Sequence, residues 1–460
     1  MLRFENLTGD ASFDWIAAAA PAILASEWNG PTQALLAGAV RDGYLERATR
    51  FAHGYFEKRG AGLRFRVVME DAARHKIAAE HSAGWNPVQA MTEIARGIEP
   101  DALPFSSANP QAVEAWGRAN FERAVDLDPD FSAAWLSWAQ SLAASGDTLR
   151  AQDVAARALA RPGLRSKIER TQIELLAAGL RGDNDGRIAA LETLSRVFSR
   201  DLGALRTLAQ AQFAARRFND AARLYQDLLQ KDPSNAADLN FLGYAQASAG
   251  HPDQARTSLE QYGKRPGQAV NALDSLGEAM FLNGRFADAE KAFLEAYQKD
   301  PAFLDGADLW KAAHARWLGG DLRGADELAA RYENARARDP RPLKTWRQAT
   351  WLYQTGRRDQ AVALLSREPA SDAIERQLAA WKNPSAAVAS DINTLRQLYQ
   401  RADPVNDGLP RTLYAAALLE TGRKEEARKL IALWPLPPRG ISPLNSLMYP
   451  RFLGLRDKLH

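Results

Sequence analysis

Residues 270–301 read VNALDSLGEAMFLNGRFADAEKAFLEAYQKDP, and this stretch decides the fold. Two helices fit into it, with a turn at Asn283-Gly284. Val270, Leu273, Leu276, Gly277 and Met280 fall three or four apart and share one helical face. Phe286, Ala289, Ala292, Phe293 and Ala296 do the same in the second helix. Asp300-Pro301 stops it, because proline cannot continue a helix and disfavours helical angles in the residue before it. Gly277 and Ala289 are small where the two helices must approach closely. Glu278, one residue on, reads as a groove position at which Glu278→Leu would barely change stability. One such hairpin cannot bury its own apolar face, so the stretch calls for neighbours of the same kind.

Those neighbours are present. Taking the residue in each interhelical turn as a marker gives Gly146, Gly182, Arg216, Gly250, Gly284, Gly320, Gly356 and Gly422, with spacings of 36, 34, 34, 34, 36, 36 and 66. The last is close to two periods, which places a degenerate repeat around Ala373 to Arg401. Seven residues before the marker stand small residues: Ala139, Ala209, Gly243, Gly277, Ala313, Ala349 and Ala415. Five after it stand Ala151, Ala221, Ala255, Ala289, Ala325, Ala361 and Ala427. Asp-Pro closes four units, at 128–129, 232–233, 300–301 and 339–340. A helix–turn–helix period near 34 residues resembles the tetratricopeptide repeat, and the resemblance spans about three quarters of the chain. It implies a right-handed α-solenoid whose first helices line a concave, partner-binding face. Two irregularities are expected. Arg187 stands where alanine is usual, so the second helix after Gly182 starts late, and the longer unit before Pro340 holds an extended helix from Asp326 to Arg338.

The first hundred residues have a different grammar. Met1 to Glu5 alternates like a strand, and a helix runs through Phe13, Trp15, Ile16, Ala19, Ile23 and Leu24. A weaker helical signal covers Ala34 to Leu45. Thr49 to Glu57 and Leu63 to Glu70 read as strands around an Arg59–Gly62 turn, with a third strand at Lys76 to His81. Asn86-Pro87 opens another helix, with asparagine as cap and proline at the first helical position. Phe4-Glu5-Asn6-Leu7-Thr8-Gly9-Asp10, followed by Asp14-Trp15, resembles the opening of the TolB amino-terminal-like domain. His53-Gly54-Tyr55, Leu63 to Arg66 and Glu70 to Ala73 are similar to that family's later hairpin. The resemblance implies a small α/β sandwich of the kind that often precedes tetratricopeptide arrays in bacteria, sometimes inside signalling proteins. Members usually carry several strand residues before the position of Leu2, so either the first strand is short or upstream sequence with an export or anchoring segment is expected.

The fold class read from the sequence is therefore mostly α, a tetratricopeptide solenoid preceded by a small α/β domain. Domains are expected at 1–103 (TolB-like), 104–110 (linker), 111–434 (helical repeats) and 435–460 (proline-rich turn and capping helix).

Composition narrows the function. Lys plus Arg is 59 against 56 for Asp plus Glu, a net charge of +3, and no basic block marks a nucleic-acid surface. Cysteine is absent, which excludes disulfides and thiolate chemistry. No apolar run approaches the roughly 18 residues of a membrane-spanning helix, and no signal peptide is visible, which leaves a periplasmic, otherwise extracytoplasmic or cytoplasmic bacterial location open. No metal or cofactor is expected. His53, His75 and His81 read as ordinary strand or loop residues. Asp183-Asn184-Asp185-Gly186 opens like a calcium loop, but its twelfth position is Leu194 where the loop needs glutamate. No G-x-S-x-G, H-E-x-x-H or Walker-type motif occurs.

The groove carries the functional expectation. By register from the marker, one stripe holds Arg206, Gln210, Asn240, Tyr244, Asp274, Glu278, Trp310, His314, Trp317, Trp346, Arg347 and Tyr353. Of the 12 tryptophans, Trp135 and Trp138 read as core. Trp310, His314 and Trp317 lie four and three apart, and Trp346 and Tyr353 repeat the seven-residue interval, so the five are expected to form one contiguous exposed surface. The alternative is that they are covered by the chain's own Arg367–Pro384. The lysine and asparagine positions of the carboxylate clamp in chaperone-binding tetratricopeptide proteins are not found here. The expected function is a non-enzymatic scaffold that binds a protein or peptide partner along the groove, in bacterial signalling or envelope assembly. The alternatives are a sensor taking a small ligand or glycan at the aromatic end, and an enzyme with a site at the domain junction.

Overall fold

The structure, a computed structural model, describes residues 1–29, 34–45, 48–60, 62–72 and 76–369, and further on 392–393, 395–397, 399–400, 414–415, 417–419 and 421–432. The expected proline-rich turn and capping helix, the segment from residue 370 to Pro384 and most of the degenerate repeat lie outside the described residues. The chain divides into two compact units, Met1–Ala211 and Gln212–His460.

The first unit opens with a small sheet in the order β1-β2-β3-β4. β1 (Glu5–Asn6) pairs in parallel with β2 (Arg50–Arg59), which forms an antiparallel meander with β3 (Gly62–Asp71) and β4 (Lys76–Trp85). β4 runs four residues past the expected His81. Along β3, Leu63, Phe65, Val67 and Met69 are buried and alternate with exposed Arg64 and Arg66, the period of a sheet covered on one face. The cover is α1 (Asp14–Glu27) and α3 (Pro87–Ile98), whose Ile16, Ile23, Leu24, Met91 and Ile94 join Phe56 and Phe65 in one core. Asn86 caps α3 by accepting the Val88 N–H, with Pro87 behind it. The weaker signal at Ala34 to Leu45 yields only a short α2 (Val40–Leu45).

The stretch 104–110, expected as a linker, is packed. Phe105, Ser106 and Ser107 are buried, and Asn109 caps the next helix through the N–H groups of Gln111 and Ala112. One hydrophobic core runs from Phe4 through Phe105 to Ala177. Two buried acids tie the end of α1 into it. Glu27 Oε1 accepts from Thr92 Oγ1 at 2.5 Å and from the Phe105 N–H at 3.2 Å. Glu169 accepts from Ser26 and Ser132, each at 2.6 Å. Burial pushes the Glu27 carboxyl up to about 7, and Glu169 also rises.

Helical hairpins fill the rest: α4 (Pro110–Gly117) with α5 (Phe121–Leu127), α6 (Ser132–Ala144) with α7 (Thr148–Leu159), and α8 (Lys167–Arg181) with α9 (Asn184–Val197). α10 (Leu202–Ala214), α11 (Phe218–Lys231), α12 (Ala236–Ser248), α13 (Pro252–Gly263), α14 (Ala269–Leu282), α15 (Phe286–Lys299), α16 (Ala307–Leu318), α17 (Leu322–Ala335), α18 (Arg341–Gln354) and α19 (Arg358–Leu365) follow, with α20 (Lys424–Ala432) beyond. All eight turn markers have positive φ, from 63° at Arg216 to 99° at Gly320. In each unit the second helix begins two residues after the marker. The flanking small residues are buried as the register requires: Ala139, Ala209, Ala313, Ala349 and Ala415 before the marker, and all seven alanines after it, are 0% exposed. A Cβ on Gly277 would lie 2.4 Å from the Phe293 ring, so this crossing admits glycine only. Asp128, Asp232 and Asp300 end α5, α11 and α15 in non-helical conformation before their prolines, Asp128 and Asp300 fully extended.

Two expectations are corrected and one turn marker is added. α9 does not start late: Asp183 caps it by accepting the Gly186 N–H, and Gly186, close to Ala178, supplies the small residue one position early. α17 is not extended; it ends at Ala335 in a turn closed by backbone bonds from Arg336 and Asp339. The hairpin closed by Asp128-Pro129 has a turn marker outside the sequence series, Ala119, at φ 60°. Its flanking small residues, Ala112 and Ala124, are 0% exposed at the same offsets, in a unit with helices of only 8 and 7 residues.

Left-handed backbone costs a non-glycine residue roughly 1–2 kcal/mol, so Arg216→Gly should raise the melting temperature, whereas Gly277→Leu should overpack Phe293 and cost on the order of 1–3 kcal/mol. Thermal melts of the two variants check both signs. A second test concerns Glu27. Its folded value lies above the ordinary 4.5, so the stability it contributes is complete below pH ~4.5 and is lost as pH rises to ~7. Urea unfolding should show Glu27→Gln flattening that fall, worth up to ~3 kcal/mol, and exceeding the wild type at pH 8.

Candidate functional site

Every residue of the expected stripe lies on a first helix. Arg206 and Gln210 are on α10 in the first unit, the former half-buried and the latter exposed. In the second unit, Asn240 and Tyr244 are on α12, Asp274 and Glu278 on α14, Trp310, His314 and Trp317 on α16, and Trp346, Arg347 and Tyr353 on α18. The members ten and six residues before the marker repeat from α12 to α16, as one face of a helix should.

The structure joins part of the stripe into a buried polar cluster. Lys311 of α16 places its Nζ 2.5 Å from Asp274 Oδ1 and 2.6 Å from Glu278 Oε1, with all three side chains under 10% exposed. The ammonium also lies over the Phe293 ring at 5.6 Å. Tyr244 donates to Glu278 Oε2 at 2.7 Å, and its hydroxyl lies 3.2 Å from Ser275 Oγ. Burial draws Lys311 down, but the Glu278 and Asp274 carboxylates outweigh it and hold the ammonium above its ordinary value. Burial and the same two acids raise Tyr244 well above 10.0, so it stays a donor.

Asp308, in the first turn of α16, is the unbalanced member. It is 0% exposed, and neither carboxyl oxygen accepts a hydrogen bond among the described residues. It faces Asp274, itself an acceptor, and two carboxyls can share such a contact only when one carries a proton. Burial first, then Asp274, push Asp308 up to about 9, so it is the one protonated at neutral pH. The ammonium thus binds two of the three carboxyls, and the third, Asp308, stays protonated against Asp274.

The aromatic end is rearranged relative to expectation. Trp310 and His314 are 1% and 0% exposed, so they are core rather than surface. Trp310, His314 and half-buried Trp317 cluster with Trp351, and Trp310 also meets Tyr332. Trp346 and Tyr353 pack apart from them, on Ala349, Ala361 and Leu365 at the α18–α19 crossing. The single aromatic surface of five residues is therefore not formed: α18 turns Trp351 toward α16, anchored through its indole N–H to Asp326 at 2.7 Å. Arg347 is spent on Glu333 of α17, at 2.8 and 3.0 Å, and on Asp339 at 2.8 Å. His314 donates from Nδ1 to the Trp310 carbonyl at 2.8 Å, and burial lowers it to about 4, leaving a neutral ring. Trp135 and Trp138 are core, at 3% and 8% exposed.

Asp308 and Lys311 were missed, although a signal existed. In ADLWKAAHARWL, residues 307–318, an Asp–Lys pair three apart interrupts a helix of alanine and large apolar residues. A lysine in such a helix needs carboxylates, and Asp274 and Glu278 lie about one period upstream.

The hairpins, their left-handed turns and their small-residue crossings define a tetratricopeptide solenoid, a fold that typically serves non-enzymatic protein–protein scaffolds, here following a small sheet. The sequence model of the tetratricopeptide repeat family matches residues 181–236, 206–269 and 242–302. The chain is 27% identical over 135 residues to a TPR repeat-containing protein of Pseudomonas aeruginosa, covering 28% of this chain and 23% of that protein. It therefore spans about a quarter of that relative's length. Among solved structures it is similar to the MamA protein (17% identity, 37% of this chain and 92% of that one, TM-score 0.31). It is also similar to the APC/C heterotetramer Cut9-Hcn1 (12% identity, 79% and 85%, TM-score 0.30). No described helix is long and apolar enough to cross a membrane.

Removing one partner of a buried ion pair costs about 3–5 kcal/mol, so Glu278→Leu, silent by the sequence reading, should destabilise strongly. Trp310→Ala should cost roughly 3–5 kcal/mol as a core truncation. Chemical unfolding of both variants tests this placement; a small loss for Glu278→Leu would mean that Lys311 does not depend on it.

Proposed function

We propose that the chain is a non-enzymatic scaffold that binds a protein or peptide segment along the first-helix face of its repeats, at the face carrying Asn240 and Tyr244. The observation that carries this reading is on α12: Asn240 and Tyr244 are partly exposed there, and the Asn240 side-chain oxygen has no partner among the described residues. Folded proteins seldom leave such atoms unpaired, and a peptide supplies donors and acceptors at short intervals. The neutral His314 and the absence of cysteine support a binding role over an acid–base or thiol one. Burial of Trp310 and His314 weighs against a glycan platform at the aromatic end. We further propose that residues 1–103 are a TolB-like unit closing the array's first apolar face, as solenoids require of their ends, and that the protein works in bacterial signalling or envelope assembly. The Pseudomonas relative supports the bacterial setting.

The test is selection of a random peptide library displayed on phage against the full chain, beside a glycan array. Enriched peptides should bind the wild type and lose about tenfold or more in affinity against Asn240→Ala/Tyr244→Ala, as hot-spot contacts do. Peptides indifferent to the double variant, or glycan binding alone, would count against this face.

A further inference from the structure

α1 meets the first repeats at both of its ends, and the two ends differ in chemistry. At its start the contact is steric. Trp15 lies where a Cβ on Gly117 of α4 would come within 2.5 Å, and Arg118 donates to the Ser12 carbonyl at 2.9 Å. At its other end the contact runs through two buried carboxyls. Glu27 accepts from the Phe105 N–H, its own carbonyl accepts from the Leu103 N–H at 2.7 Å, and Ser26 donates to Glu169 of α8. Glu27 is 0% and Glu169 6% exposed. Around Glu27, α3 supplies the Thr92 hydroxyl and the Arg96 guanidinium, the latter the weakest influence on it, and Glu27 Oε2 has no partner among the described residues. Around Glu169 stand the hydroxyls of Ser26, Ser106 and Ser132, with no charged group acting on it among the described residues. Arg165, which donates to the Ser106 carbonyl at 3.1 Å, is paired with Asp128 at 2.6 Å. Hydroxyls satisfy carboxyl lone pairs but bring no positive charge, so a proton is what makes these two sites neutral.

We propose that the end of α1 is a proton-controlled latch: protonated Glu27 and Glu169 hold the sheet domain against the first repeats, and their ionisation frees that end while Trp15 and Gly117 remain as the hinge. The bonds that open are those crossing to the repeat side, from Ser26 to Glu169 and from the Leu103 and Phe105 N–H groups to Glu27. The Thr92 bond to Glu27 lies inside the sheet domain and travels with it. Opening lets water reach both carboxylates, which is the solvation that the closed joint denies them. Phe105 meets Trp116 and Phe131 at ring-centre distances of 5.6 and 5.4 Å, so the same movement loosens the aromatic cluster at the start of the array. The sign follows from burial, which raises both acids and takes Glu27 from the ordinary 4.5 to about 7. The closed joint holds these protons more tightly than the open one. Closure is therefore complete below pH ~4.5 and weakens as pH rises through ~7.

The experiment is hydrogen exchange of the full chain, read by mass spectrometry across this pH range, with rates corrected for the intrinsic pH dependence of amide exchange. The reporters are the Leu103 and Phe105 amides at the latch. The control is the Phe4 amide, which bonds the Ala17 carbonyl inside the sheet domain. The expected result is an opening constant at Leu103 and Phe105 that rises with pH, by up to about tenfold per pH unit for each acid, while Phe4 keeps its protection. Glu27→Gln with Glu169→Gln should hold the latch amides protected at every pH. If the double variant does not fold, the single Glu169→Gln replaces it and should lower the slope in pH without abolishing it. Latch protection in the wild type that is independent of pH overturns the proposal whatever the variants do. So does an unchanged pH slope in the variants, or an equal loss at Phe4, which would mean that the whole domain unfolds and no hinge operates.

Discussion

Two helices can cross closely only where the residues between them are small, and the second unit depends on this constraint at every hairpin. Gly277 against Phe293 is its sharpest case, with no room for even a methyl group. Once α14 and α15 are that near, the turn between them must reverse the chain within a few residues and start the next helix. The left-handed backbone at Gly284 makes that reversal, as do its counterparts at Gly250, Gly320 and Gly356. The turn and the crossing are coupled features, which explains why the marker and its flanking alanines repeat together. Arg216 and Ala119 show that the geometry persists without glycine, at some cost in backbone strain.

The spacing variations have a local origin under the same constraint. The interval from Gly284 to Gly320 is 36 rather than 34, and the extra length is accommodated at Leu304 and Asp305, both left-handed, just before α16. The helices themselves keep their lengths. Arg336 reaches back to Asp305 with its guanidinium and steadies that turn. The irregular turn leads directly into the helix that carries Asp308 and Lys311, so an irregular connection in the second unit precedes its buried polar cluster.

Buried charge divides the two units differently. In the first, Glu27 and Glu169 hold hydroxyl and backbone donors, and the network binds the end of α1 to the stretch before α4 and to α6 and α8. In the second, Lys311 is shared by acids one repeat earlier, a pairing that contributes little net stability but makes other registers expensive. Asp308 has no cation of its own and instead keeps its proton against Asp274.

The sequence by itself determined the repeat, the turn positions and the small-residue crossings, because these depend on period and on residue size, both written locally in the chain. It also placed Asn240, Tyr244, Asp274 and Glu278 on one helical face, since register from Gly250 and Gly284 is enough for that. It missed the Ala119 turn, because this marker is not glycine and lies 27 residues before Gly146, off the period that located Arg216. What only the tertiary structure decided is which side of each first helix is covered. Trp310 and Trp346 hold the same offset from their turns, yet one is sealed between Tyr332 and Trp351 and the other packs on α19. Likewise, Glu278 reads as a surface acid until Lys311, 33 residues on, arrives beside it. Burial and charge pairing are properties of neighbours distant in sequence, and a helical period specifies a face without specifying what will lie against it.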